Sequence, residues 1–103
     1  MANKKHMYFD KTEIMLMYTD GNAYKSMNLT YDKIREIKIE KCYERKIFKK
    51  VPSERIQIIT KVSNIPIQYT RLKEKDYFEE YAKELSKFAK NNKIILIDTR
   101  EKI

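Results

Sequence analysis

Asp76-Tyr77-Phe78-Glu79-Glu80-Tyr81-Ala82-Lys83-Glu84-Leu85-Ser86-Lys87-Phe88-Ala89-Lys90-Asn91 is the stretch on which the fold turns. Its apolar residues Tyr77, Phe78, Tyr81, Ala82, Leu85, Phe88 and Ala89 fall on one wide stripe of a helix, which predicts a helix over about 75–91. Asp76 with Glu79 three residues on resembles a capping box, with Asp in place of the usual Ser or Thr. Asn91-Asn92 supplies residues that tolerate the left-handed conformation at a helix end.

N-terminal to that stretch the period drops to two. Glu13 to Tyr18 is a short apolar run, Asp20-Gly21 follows, and Asn22 to Leu29 runs back. An Asp-Gly pair between two such runs predicts a hairpin, because the turn needs positive φ that glycine adopts freely. In Tyr31 to Cys42, Ile37 and Ile39 alternate with Lys38 and Glu40 as in a half-buried strand. Ile34 and Ile37, three apart, allow a helical turn before it. Arg45 to Val51 reads as a shorter strand whose lysines suit an edge that must not pair with other chains. Val51-Pro52-Ser53-Glu54 and Ser63-Asn64 read as turns. Arg55 to Val62 and Ile65 to Thr70 read as strands, with Pro66 at a start or an edge. C-terminal to the helix, Lys93 to Asp98 is an apolar strand or an extended tail within 93–103, and Thr99 to Ile103 is expected to fray. The expected architecture is α+β and mostly β: one domain over residues 1–103, with an antiparallel barrel or sheet of about six to seven strands closed by a single C-terminal helix.

Composition narrows the function. A chain of 103 residues is one ordinary domain and buries roughly 65% of its unfolded surface. Only one glycine is present, which excludes a Gly-rich phosphate loop. The net charge of +8 suits an anionic partner, nucleic acid or acidic lipid, but lysine far outnumbers arginine, a bias that base composition of the gene also produces. Cys42 is the single cysteine, so no intrachain disulfide forms and a reducing, cytoplasmic setting is expected. No run approaches the roughly 20 apolar residues of a membrane span, and Met1 to His6 is not followed by the apolar stretch of a secretory signal.

The phrase Leu29-Thr30-Tyr31-Asp32-Lys33-Ile34-Arg35-Glu36-Ile37-Lys38-Ile39 is similar to the passage into the third strand of bacterial pleckstrin-homology-like domains. The closing helix with Phe78, Leu85 and Phe88 resembles the helix that plugs one end of the barrel in that fold. The resemblance spans roughly 7–91 and rests on hydrophobic pattern. It implies a binding module for a protein, a peptide or a lipid. The basic motif of inositide-binding members is not matched: the first hairpin holds Lys25 and no arginine. The run Ile94 to Ile97 lies beyond the usual closing helix, as an added strand or an edge that pairs with a second copy.

No catalytic set emerges. Cys42 and His6 are the only thiol–imidazole candidates, one on a strand and one in an expected tail, and zinc needs about four ligands. Glu79, Glu80 and Glu84 read as a solvated helix face, and Ser53 as a turn serine without a histidine to activate it. The chain is therefore expected to be no enzyme and to carry neither cofactor nor metal. The best binding candidates are Lys41, Arg45, Lys46, Lys49, Lys50 and Arg55, with Tyr43 and Phe48 between the charges and Glu44 and Glu54 diluting them. Cations interleaved with aromatics suit single-stranded nucleic acid or an anionic membrane. The ordinary reading of the same segment is a solvated edge hairpin with Phe48 facing the core. Tyr69, Tyr77 and Tyr81 read as core packing or, more sharply, as an aromatic peptide groove. The leading expectation is recognition of a protein or peptide, with exposed strand edges suiting homo-oligomer formation; nucleic acid or anionic membrane is the alternative.

Overall fold

The computed structural model describes residues 5–20 and 22–100. In chain order the elements are β1 (Met7–Phe9), β2 (Glu13–Asp20), β3 (Ala23–Thr30), a single 3-10 turn (Tyr31–Lys33), β4 (Ile34–Lys46), β5 (Lys49–Thr60), β6 (Ile67–Thr70), α1 (Phe78–Asn92) and β7 (Ile95–Asp98). They build two sheets, β1-β2-β3 and β6-β5-β4-β7.

The mostly-β chain with one C-terminal helix is as expected, but the sheets do not close into a barrel. Both edges of β4 are occupied: β5 pairs antiparallel on one side and β7 pairs parallel on the other, Glu36 with Ile95 through Ile39 with Asp98. No edge of β4 is left for the first sheet, and the chain passes from β3 to β4 through the 3-10 turn without pairing them. The C-terminal run is thus an added strand inside the chain's own sheet, and it forms over 95–98 only. Arg100, expected to fray, is held: its guanidinium bonds Asp98, Glu54 and Glu79, and its side chain is 12% exposed. Residues 101–103 lie outside the described ones.

The alternation read from sequence fills the space between the sheets and the helix. Ile14, Leu16 and Leu29 face Ile34, Ile37, Ile39, Ile56, Ile58 and Tyr69, and α1 contributes Phe78, Tyr81, Ala82, Leu85 and Phe88. Each of the isoleucine, leucine and phenylalanine side chains among them contributes roughly 1.5–3 kcal/mol when fully buried. The helix starts three residues later than the pattern suggests. Its N-cap is Tyr77, without a side-chain cap bond, so the Asp76–Glu79 box does not form; Glu79 instead binds Arg71 and Arg100. At the other end Lys93, not an asparagine, takes the left-handed position (φ 57°). Asn92 stays helical, and its amide donates to the carbonyls of Phe88 and Lys11, both at 3.0 Å.

The largest departure is in the middle of the chain. The segment read as two strands separated by a turn at 51–54 is one long hairpin, β4–β5, turning at Ile47-Phe48, with Lys46 opposite Lys49. Pro52 lies within β5, opposite Tyr43 and beyond the last β6 partner, where the outer edge of β5 pairs with no strand and a missing N–H costs nothing. The first hairpin pairs Asp20 with Ala23; the expected Asp20-Gly21 turn involves Gly21, which lies outside the described residues.

Candidate functional site

The basic residues singled out from sequence all sit on the β4–β5 hairpin, which outruns its sheet. Pairing with β6 stops at Arg55 and pairing with β7 at Ile39. From Lys41 opposite Glu54 to Lys46 opposite Lys49, six residue pairs form a two-stranded arm about 20 Å long. Lys41, Arg45, Lys46, Lys49 and Lys50 are exposed on it, with no ion pair among the described residues. Arg55 does not belong with them: its guanidinium is bound to Glu40, Nε to Oε2 at 2.6 Å, at the foot of the arm. Glu44 and Glu54, read as diluting the cluster, turn inward. Glu44 accepts from the Ser53 hydroxyl and from the Leu72 amide. Glu54 accepts from Arg71 and Arg100; burial pushes its carboxyl pKa up, and the two guanidinium groups more than reverse this, holding it below the usual range.

Phe48 does not face the core. It is 96% exposed at the apex, beside Ile47 at 79%, with Tyr43 at 73% farther down the arm. Ile47 has φ 58°, a left-handed backbone that a β-branched residue strongly disfavours.

The tyrosine cluster is core. Tyr69 packs edge-on against Tyr81 (5.9 Å between centroids) and Tyr77 stacks on Tyr81. His6, expected in a tail, is fixed there. Its amide donates to the Tyr81 hydroxyl (2.7 Å), its carbonyl accepts from Tyr69 (3.1 Å), and its ring Nδ1 meets the Glu74 carboxylate at 2.9 Å. Burial pushes both tyrosine hydroxyls well above the ordinary range. Cys42 sits half-buried on β4 opposite Ser53, and burial raises its thiol pKa, which leaves it a poor nucleophile. Among the described residues no group of three or more His, Cys, Asp or Glu is placed to hold a metal.

Beside this cluster lies a site the sequence did not suggest. Where the two sheets stay apart, a cleft of about 620 Å³ opens between β2–β3 and β6. Met17, Tyr18, Met27 and Ile67 wall it, and Val62, Ile65 and Tyr24 stand exposed at its mouth. Two threonines of its lining, Thr60 (2% exposed) and Thr70 (8%), have buried hydroxyls with no hydrogen-bond partner among the described residues. β6 is the last strand of its sheet, so its outer backbone edge is unpaired. Only tertiary placement creates this cleft; the one sequence signal is the polar Thr60 at an inward position after Ile56 and Ile58.

No family model, no curated protein and no solved structure matches the chain.

Proposed function

We propose that this chain is a non-catalytic binding module with a pleckstrin-homology-like fold, and that it recognises an extended peptide segment of a partner protein in the cleft between its sheets. The observation that carries the reading is the pair of buried hydroxyls of Thr60 and Thr70, without a hydrogen-bond partner among the described residues, in the lining of a cleft that also presents Met17, Met27 and Ile67. A buried hydroxyl without a partner costs about 1–3 kcal/mol; both oxygens are shut off from solvent in the unbound chain, so a peptide backbone relieves them by displacing the side chains that cover them. The unpaired edge of β6 can extend its sheet by one strand, with alternate side chains of the peptide reaching Met17, Met27 and Ile67. A run of strands followed by one packed helix supports the kinship, and a single half-buried cysteine supports a reducing, cytoplasmic setting.

The test is selection of linear peptides from a displayed library on the intact protein, followed by titration of the best binder against backbone amide signals. Enriched sequences alternating apolar and polar residues, with shifts centred on Gln68, Tyr69 and the 61–66 connection, are the expected result. No enrichment, or shifts confined to the arm, would overturn the reading. Concentration-dependent dimerisation shifting the same β6 signals would make the occupant a second copy of this chain.

A further inference from the structure

The apex of the arm breaks three local rules together. A β-branched residue occupies a positive-φ position at Ile47. Two large apolar side chains, Ile47 and Phe48, are presented to water at the point farthest from the core. Like charges stand directly opposite one another, Lys46 with Lys49 and Arg45 with Lys50. None of these is offset by another described residue: the apex residues are exposed and the four cations have no ion pair among the described residues. Local rules broken without an internal compensation mark functional sites. The compensation must therefore come from a partner that is apolar at its centre and anionic around it.

We infer that the β4–β5 arm is a membrane probe, whose Ile47-Phe48 tip enters the hydrocarbon boundary of an anionic bilayer while Arg45, Lys46, Lys49 and Lys50 bind the surrounding lipid phosphates. The order of residues along the arm matches the order of layers in a bilayer. The apolar pair leads. The four cations follow within about 7 Å of it, and Tyr43, an amphipathic aromatic suited to the headgroup level, lies about 13 Å back. Interfacial segments bury their apolar part about 5–10 Å into the headgroup and acyl boundary, which brings the cations to the phosphates. Nucleic acid fits less well. Ile47 has no flat face on which a base can stack, and of the five exposed arm cations only Arg45 has the planar fork that reads phosphate or base edges. This inference does not depend on the cleft, which lies on β2, β3, β6 and the far end of β5 at Thr60, away from the apex.

The chain has no tryptophan, so Phe48→Trp places a single reporter at the tip. The full chain is mixed with vesicles of phosphatidylcholine alone or with added phosphatidylglycerol. Co-sedimentation with the anionic vesicles only is expected, with blue-shifted Phe48→Trp emission that acyl-chain quenchers reduce. Ile47→Ser with Phe48→Ser should weaken binding at least about tenfold, and Lys46→Glu with Lys49→Glu should abolish it. All four side chains are exposed, so these variants keep the fold, and thermal unfolding checks this. Three results would each overturn the inference: binding to duplex or single-stranded DNA with none to vesicles, vesicle binding unchanged by the serine pair, and no binding to any of these probes.

Discussion

The corner where β1, β6 and α1 meet and the apex of the arm treat their polar and strained groups in opposite ways. At the corner, the His6 amide, carbonyl and ring, the Tyr69 and Tyr81 hydroxyls and the Glu74 carboxylate are all joined in one network. At the apex, a disfavoured backbone angle, two exposed apolar side chains and four cations meet no partner among the described residues. The cleft lies between these extremes, with Met17, Met27 and Ile67 in its walls and two hydroxyls unsatisfied among the described residues. The corner is a solved folding problem. The arm and the cleft are solved only when something else arrives.

The comparison breaks most visibly at the corner. Tyr81→Phe removes the acceptor for the His6 amide and a donor to Glu74, and should lower stability by about 1–3 kcal/mol in denaturant unfolding. A loss near zero would mean the corner is wetter than it looks. At the apex the sign reverses. Ile47→Gly should raise stability by about 1 kcal/mol, or roughly 4 °C in Tm, because glycine takes positive φ freely and no packing is lost. Destabilisation there would show that Ile47 packs in solution.

The smallest effect lies where β7 returns to the sheet. The Glu54 and Asp98 carboxyls are held below their usual values by arginines, Asp98 chiefly by its bond to Arg100. A depressed folded pKa gives stability that is complete above the usual carboxylate range and lost as pH falls through that range to the depressed value. Unfolding between about pH 5 and pH 3 should therefore be less pH-dependent in Glu54→Gln than in the natural chain. Parallel curves would assign the acid sensitivity to other groups.

The helix and the inward-facing isoleucines were legible because periodicity reports burial, and Phe78, Tyr81, Leu85 and Phe88 all face the core. The long hairpin was not. Pro52-Ser53 carries turn chemistry yet lies in a strand whose outer edge is free, while Ile47-Phe48 carries none and makes the turn. β1 was missed because three residues are too few for a pattern; the Met17 amide donating to the His6 carbonyl and the His6 amide donating to the Tyr81 hydroxyl hold it in place. The basic arm could be read as composition, but whether Phe48 points in or out depended on where the chain reverses. The cleft arises from sheets that stay apart, which no local signal encodes.

The most direct test is Thr60→Val, assayed on the same protein for unfolding and for binding of the selected peptide. Valine keeps the shape and removes the orphaned hydroxyl. The account predicts a chain more stable by about 1 kcal/mol that binds the peptide more weakly. A variant that loses stability, or that binds as tightly as before, would contradict the claim that the unsatisfied group is kept for a ligand.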